Sequence, residues 1–147
     1  MLVERMLPIA RNRLVTIRDG APLIEAAALL RDLDCDLIVA CNSDELLAGV
    51  ITKTDIVRQI SHCDGAACTT AASAVMTRTV ILCRPGDPLP QVWSVMKERR
   101  LKNIPVVGQD ARPVGVLNAC DALEALLDEV EYEEILLREY VMCAGYH

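Results

Sequence analysis

Residues 49–57, with the sequence GVITKTDIV, decide the fold. The apolar pair at 50 and 51 follows a glycine, as in a buried strand, and an apolar-periodic segment typical of a helix begins near Asp55. The free N–H groups of a helix start, with the hydroxyls of Thr52 and Thr54, suit an anion, and the Asp55 carboxylate could accept hydrogen bonds from ribose hydroxyls. The alternative is a helix cap that needs no ligand.

The same pattern occurs a second time, at residues 115–123 with the sequence GVLNACDAL. Its aspartate, Asp121, follows Asp55 by 66 residues. A shift of 66 residues without a gap also matches Gly20 with Gly86, Pro22 with Pro88, Leu23 with Leu89, Ile38 with Ile104 and Asp44 with Asp110. This agreement indicates an internal duplication.

Length and composition limit the possible classes of protein. At 147 residues the chain is about one domain long, and half of it is too small for a comfortable core, so we expect the halves to pack on each other. Hydrophobic residues make up 52% and the mean hydropathy is +0.28, yet no apolar run approaches the roughly 18 residues of a membrane helix. We therefore expect the excess apolar surface to form the interface of a homodimer.

The charge balance argues against a nucleic-acid partner. The chain has 21 acidic and 15 basic residues, 3% aromatic residues and no Phe, whereas a nucleic-acid surface needs basic patches and stacking rings. Residues 1–5 do not start the long apolar region of a signal peptide, so we expect a cytoplasmic protein.

The seven cysteines, at positions 35, 41, 63, 68, 83, 120 and 143, include no CxxC pair. Most of them lie in apolar runs, which favours buried free thiols acting as small hydrophobic side chains. The alternative is a metal or redox site formed by His62, Cys63, Asp64 and Cys68, although their spacing matches no pattern that we can justify.

The first half of the chain predicts the order strand, helix, strand, strand, helix. Residues 1–12 are expected to form an irregular or short helical arm. The predicted elements are a strand at 14–17, a helix from Pro22 with apolar positions Leu23, Ala26, Ala27, Leu30 and Leu33, strands at 37–41 and 46–51, and a helix at 55–60.

The second half predicts the same order. The elements are a strand at 80–83, a helix from Pro88 with Leu89, Val92, Trp93 and Met96 inward, strands at 104–107 and 114–117, and a helix from Asp121 to about Met142. Trp93 is expected in the core. Because the last helix is longer than its counterpart, its extension should pack on a partner subunit or cross back over the first half.

This repeated unit resembles the cystathionine β-synthase (CBS) domain, and the whole chain resembles a free-standing CBS pair, or Bateman module. The resemblance covers about residues 9–128. In the second half it is carried by residues 75–77, 88–89, 103–107, 110 and 115–121, and in the first mainly by residues 49–55. It implies an α+β fold in which two β-α-β-β-α repeats pack sheet to sheet with pseudo-twofold symmetry, followed by an extra C-terminal helix.

The expected divisions of the chain follow from this unit. They are a first repeat with its N-terminal arm at 1–60, a small and polar linker at 61–73, a second repeat at 74–128 and a C-terminal helical extension at 129–147.

The resemblance also implies two clefts for adenosine-containing ligands, each combining strand ends of one unit with the Thr-x-x-Asp of the other. The first cleft would place Thr79, Ile81, Leu101, Lys102 and Asn103 around the base, with Thr52 and Asp55 on phosphate and ribose and the Thr54 hydroxyl at the same helix start. Lys102 could also meet a phosphate. Asn103 stands where the family often has a histidine.

The second cleft would use Arg13, Val15, Cys35, Asp36 and Leu37 together with Asn118 and Asp121. It departs from the family pattern, since Asn118 replaces the hydroxyl residue and Asp36 would bring a negative charge toward any phosphate. We expect this site to be weaker, empty, or selective for a less charged adenosyl compound.

Three functions are open at this point. The first is a regulatory module with no obligatory cofactor that senses AMP, ADP, ATP or S-adenosylmethionine and is read by an effector protein of unknown identity. The second is a structural dimerisation module with empty clefts. The third, an enzyme, is disfavoured because the sequence offers no nucleophile with a paired base, no phosphate-cradling glycine loop and no credible metal set.

Overall fold

Two small sheets, one from each half of the chain, form the centre of the structure. The computed structural model describes residues 1–61 and 70–145, with residues 142–145 described by their backbone only. The first sheet has the order β1 (Thr16–Arg18), β2 (Leu37–Cys41) and β3 (Leu47–Thr52), with β1 parallel and β3 antiparallel to β2. The second sheet pairs β4 (Asn103–Val107) antiparallel with β5 (Pro113–Asn118).

Five helices surround these sheets in the described ranges: α1 (Leu7–Arg13), α2 (Leu23–Asp32), α3 (Lys53–Ser61), α4 (Leu89–Arg99) and α5 (Ala119–Gly145). Short 3₁₀ turns cover Val3–Met6 and Ala72–Ala74. Strand β2 has the predicted bounds, and the other predicted helices and hairpin strands are present with shifted ends. Strand β1 begins two residues later than predicted. Leu33 was predicted to face inward, but it lies beyond the end of α2 and is 55% exposed.

The duplication is visible in the backbone as well as in the sequence. Leu37 pairs with Thr52 in the first hairpin and Asn103 with Asn118 in the second, 66 residues later in each strand. Both hairpins carry an irregularity at the same place, and the left-handed residues match in two pairs: Asp34 with Arg100 and Glu45 with Ala111. Residues that rarely adopt positive φ recur at the same offset, so the two units share one backbone path.

The strand predicted at 80–83 is absent, and two prolines explain why. Only Cys83 forms a bridge, to Val106, which is the counterpart of the Ile17–Ala40 pair in β1 and β2. In the first unit the Val39 N–H donates to the Val15 carbonyl at 2.9 Å, but Pro105 stands at the position of Val39 and has no N–H to donate. Pro85 likewise replaces Asp19, whose N–H bonds to Cys41.

Each unit is completed by the segment that precedes the other unit. The N-terminal residues Val3, Met6 and Ala10 are buried in the core of the second unit, and Ala72 and Met76 are buried in the core of the first. The same exchange holds at the starts of two helices. The first N–H of α4 donates to the Met1 carbonyl at 2.9 Å and that of α2 to the Thr70 carbonyl at 2.7 Å. This reciprocal exchange of segments follows the pseudo-twofold relation between the units.

A third apolar cluster joins the two sheets to each other. Its buried members come from both units: Leu37, Val39, Cys41, Val50 and Val116, with Leu14 and Val80 packed against them. Leu14 and Val80 are themselves equivalent at the 66-residue offset. The halves therefore share a hydrophobic interior, as the small size of each half requires.

The extension of α5 leaves the body of the molecule. The helix packs on α4 and β5 in its first turns, whereas residues 131–141 are all exposed. The predicted path back over the first half is therefore wrong for the described residues, because no part of the extension through residue 141 is covered by the first unit. No helix in the described ranges is long and apolar enough to cross a membrane.

The cysteines for which a side chain is described are unpaired. Cys41 and Cys83 are buried and Cys35 is half-buried, as predicted, but Cys120 is exposed at the start of α5. Burial raises the pKa of the Cys83 thiol to about 12, with a smaller contribution from Asp87. The candidate metal set at positions 62, 63, 64 and 68 lies outside the described residues, as do the side chain at 143 and the histidine at 147.

Candidate functional site

The first cleft is a cavity of about 610 Å³ at the seam between the two units. This volume is in the range of small-molecule sites. Eight of the residues predicted for this cleft line it: Thr52, Thr54, Asp55, Thr79, Ile81, Leu101, Lys102 and Asn103. Leu37, predicted for the second cleft, also reaches this cavity. The structure thus brings the start of α3 in one unit next to the start of β4 in the other.

The start of α3 is a closed hydrogen-bonded cap. Asp55 Oδ2 accepts from the Thr52 N–H at 3.0 Å and from the Thr52 hydroxyl at 3.1 Å, and the Asp55 N–H donates to that hydroxyl at 3.3 Å. The capping interpretation is therefore correct, but it leaves room for a ligand. Within the described residues Asp55 Oδ1 accepts no hydrogen bond, so one carboxylate oxygen remains available to a sugar hydroxyl.

The second unit contributes two positively charged side chains to the wall of the first cleft. Arg100 and Lys102 line it, and neither forms a side-chain ion pair within the described residues. Lys53, from the first unit, also lines this cleft, and its ammonium is 3.3 Å from the Asp36 carboxylate. Because that pair is half-exposed it contributes little to stability, but it partly neutralises Asp36.

Sequence reasoning missed Arg100, Lys53 and the apolar Val80 as lining residues of the first cleft. Arg100 ends α4 in the left-handed region, with φ 56°, and this conformation turns the chain toward the cleft. Its counterpart Asp34 has φ 48°. A basic residue two positions before Lys102, at the end of a helical pattern, was the available signal.

Asn118 takes over the capping role that Thr52 has in the first unit. Its side-chain oxygen accepts from the N–H groups of Cys120 at 2.9 Å and Asp121 at 3.3 Å. Its amide nitrogen donates to the Asn103 side chain at 3.0 Å. Asn103 lines both cavities, so this bond holds a side chain that the two clefts share.

The second cleft differs from its prediction. A smaller cavity of about 360 Å³ is lined by Arg13, Val15, Cys35, Asp36 and Leu37, as expected, but Asn118 and Asp121 do not line it. Arg13 binds Asp121 through both Nε and Nη2, the latter 3.1 Å from Oδ1. The hydrogen bond that Arg13 donates to Asp121 raises the pKa of Arg13 above its usual value. Asp36 was predicted for the second cleft only, but it lines both cavities and pairs with Lys53. Its negative charge therefore acts on both clefts.

Within the described residues no group of three His, Cys, Asp or Glu side chains could hold a metal ion. Among the described residues, the first cleft offers hydrogen-bonding and charged side chains, such as those of Thr52, Asp55 and Lys102.

A comparison with family models matches the CBS domain twice, at residues 6–62 and 72–128. Among solved structures, the CBS domain pair of protein MJ0100 in complex with 5′-methylthioadenosine and S-adenosyl-L-methionine has a TM-score of 0.71 at 22% identity, covering 88% of this chain and 97% of that one. CBSX2 in complex with AMP has a TM-score of 0.70 at 18% identity, covering 81% and 91%. At these identities the likeness shows the fold.

The chain is also similar to part of a longer protein. Homoserine O-acetyltransferase of Methanohalobium evestigatum is 26% identical over 116 residues, which are 79% of this chain and 22% of that protein. This chain therefore spans about a fifth of that relative's length.

Proposed function

Since this chain belongs to the CBS-domain family, as a tandem pair of such domains, we propose that it is a regulatory module that binds one adenosine-containing ligand in the first cleft. The observation that carries the proposal is the cavity in which Asp55 of one unit faces Arg100 and Lys102 of the other. A carboxylate suits ribose hydroxyls and the two cations suit phosphate, so the cleft has complementary groups for both parts of a nucleotide.

The charge of the cleft favours a phosphorylated ligand. S-adenosylmethionine carries a positive sulfonium, which Arg100 and Lys102 would repel, whereas the phosphate of AMP, ADP or ATP would be attracted. CBS pairs of the same fold include one solved with AMP and one solved with S-adenosylmethionine, so both ligand classes occur on this backbone. We therefore propose AMP, the smallest of the phosphorylated candidates, as the first ligand to test.

The remaining contacts follow from the lining of the cleft. Ile81, Leu101 and Val80 offer apolar surface for the adenine base. Thr54 and Asp55, in the first turn of α3, line the same cavity, and the helix dipole favours an anion there. Lys53 also lines this end of the cavity.

Regulation follows if the ligand binds two arrangements of the units with different affinity. The first cleft is built from both units, so an occupant contacts both and biases how they sit on each other. An effector protein of unknown identity would read that change. The competing candidate is a dimerisation module with empty clefts, and the ion pair across the second cleft favours it at that site only.

We propose no catalytic activity. The relative named as a homoserine O-acetyltransferase matches this chain over 22% of its own length, so its activity does not carry over. We further propose that the chain works in the cytoplasm, a reducing compartment suited to its unpaired Cys41 and Cys83 thiols.

We propose a second copy of this chain as the partner for the outer face of α5. Five residues on one face of this helix are exposed in the single chain: Leu123, Leu127, Val130, Leu137 and Val141. Large exposed apolar patches mark sites of protein–protein contact. Pairing of two copies would bury both faces in one symmetric contact.

Thermal unfolding with AMP tests ligand binding directly. At one hundred times its dissociation constant a ligand should stabilise the chain by about 2.7 kcal/mol. Replacing Asp55 with Ala removes the ribose acceptor and should abolish the AMP-induced increment. Since Asp55 also caps α3, the substitution should lower the ligand-free stability by about 1 kcal/mol, so the increment is measured against each variant's own baseline.

Asp121→Ala is the matched control because Asp121 holds the equivalent position in the second unit. It should retain the AMP increment in full. Equal loss in both variants would contradict the choice of the first cleft. No increment in the wild-type chain with AMP, ADP, ATP or S-adenosylmethionine would favour the structural module instead.

A further inference from the structure

Arg13 and Thr79 hold equivalent positions in the two units, 66 residues apart. Thr79 lines the first cleft together with Asp55. By the same pseudo-symmetry Arg13 should face Asp121, the counterpart of Asp55, and the structure places it there. A short hydroxyl residue in one cleft is therefore replaced by a long cation in the other.

The contact of Arg13 uses the whole carboxylate of Asp121. Arg13 Nε donates to Oδ2, and Nη2 donates to Oδ1 at 3.1 Å. Such two-point arginine–carboxylate pairs are stronger and more specific than single hydrogen bonds. The Asp121 side chain is only 17% exposed, whereas that of Arg13 is 44% exposed. In the first cleft, by contrast, Asp55 keeps Oδ1 unbonded within the described residues.

We propose that Arg13 closes the second cleft to adenosine-containing ligands by occupying the carboxylate that would otherwise bind ribose. The proposal builds on the proposed function, since it takes Asp55 as the ribose acceptor of the first cleft. The cavity volumes agree with it, at about 360 Å³ for the second cleft and 610 Å³ for the first. Asp121 no longer lines the cavity that Arg13 borders.

The substitution Arg13→Thr gives the second cleft the residue that the first cleft has at this position. It removes the guanidinium from both oxygens of Asp121 and leaves the carboxylate accessible. Other differences between the clefts remain, because Asp36 stands where the first cleft has Lys102. The opened cleft should therefore prefer uncharged adenosine over AMP, and adenosine is the appropriate probe.

Isothermal titration of the full chain with AMP and, separately, with adenosine counts the sites. Two numbers are read, and they test different statements. The number of AMP molecules bound by the wild-type chain, expected to be one, tests the proposed function. The number of adenosines gained on Arg13→Thr substitution, expected to be one, tests the role of Arg13.

The matched control is Arg11→Thr, which removes an equal charge from the same helix at an exposed position with no side-chain partner in the described residues. It should bind as many adenosines as the wild type. A gain in this control would overturn the proposal, since charge alone would then open the cleft. The double substitution Arg13→Thr with Asp121→Ala should lose the added site, because that site depends on Asp121.

An unchanged count in Arg13→Thr, or two adenosines already bound by the wild type, overturns the closing role of Arg13. A wild type that binds no AMP, together with an Arg13→Thr variant that gains one adenosine, would uphold the role of Arg13 and overturn the proposed function. Circular dichroism melts establish that each variant folds, and Arg13→Ala provides a second variant that must give the same count as Arg13→Thr.

Discussion

At the residue scale, the candidate site residues differ in how far along the sequence their hydrogen-bond partners lie. Thr52 and Asp55 are three residues apart, so their cap was visible in the sequence and is present in the structure. Arg13 and Asp121 are 108 residues apart, and no local pattern pairs them. Since Arg13 was assigned to the second cleft only by the family resemblance, its contact with Asp121 needed the three-dimensional arrangement of the units.

Two prolines in the sequence indicate that the predicted strand at 80–83 cannot pair fully, and the prediction did not take them into account. In the second unit Pro105 and Pro85 stand at the positions of Val39 and Asp19, whose N–H groups hold β1 to β2 in the first unit. The apolar run at 80–83 predicted a strand, but the missing donors reduce it to the single Cys83–Val106 bridge. The shortened pairing lies beside Ile81, which lines the first cleft.

Two glycines should tolerate no side chain because the exchanged segments lie directly on them. A Cβ at Gly49 would be 2.7 Å from the Thr77 carbonyl oxygen, and one at Gly115 would be 2.8 Å from the Ala10 Cβ. We expect Gly49→Ala and Gly115→Ala each to lower the free energy of unfolding by about 1–3 kcal/mol through overpacking. Urea denaturation measures this loss.

Gly20→Ala and Gly86→Ala are the controls for this prediction. A Cβ at either position would meet nothing within 4 Å. The free energy of unfolding should stay unchanged or rise by about 0.4–1 kcal/mol, since alanine restricts the unfolded chain. Losses as large as those at positions 49 and 115 would show that the exchanged segments are not tightly seated.

At the element scale, the sequence patterns predicted the helices, including α5, but not which of their apolar residues are buried. The stripe of α2 is buried at Leu23, Ala26 and Leu30 and ends at the exposed Leu33. Helix α5 also carries apolar residues at helical spacing, yet Leu127 and Val130 are exposed. Periodicity identifies an apolar face, but it does not say whether the same chain covers that face.

The α5 face gives a prediction about assembly. Val130 and Leu137 are seven residues apart on one side of the helix, and both are exposed. If a second copy covers this side, sedimentation equilibrium at micromolar concentration should give the mass of a dimer. The double substitution Val130→Glu with Leu137→Glu should give the mass of a monomer, because it places two buried charges in each copy's contact.

Ile135→Glu provides the control because Ile135 is also exposed but lies on a different side of α5. It should leave the dimer intact. A wild-type chain that sediments as a monomer would contradict the proposed pairing, as would dissociation by Ile135→Glu alone.

At the scale of the whole molecule, one offset of 66 residues explains the fold, and departures from that symmetry distinguish the clefts. The sheets, their irregularities and the left-handed residues repeat at this offset. The cleft residues do not, since Thr79, Lys102 and Thr52 are matched by Arg13, Asp36 and Asn118. The repeat could be recognised in the sequence. The packing of each unit's preceding segment on the other unit could not, because the two units offer similar surfaces and the contacts are distant in sequence.

The central claim is that the first cleft binds a nucleotide and the second does not. A crystal structure of the chain grown with AMP tests it most directly. We predict one AMP per chain, with its ribose on Asp55, its phosphate near Lys102 and Arg100, and the Arg13–Asp121 pair intact in an empty second cleft. AMP bound against Asp121, or AMP absent from the first cleft at saturating concentration, would contradict the account.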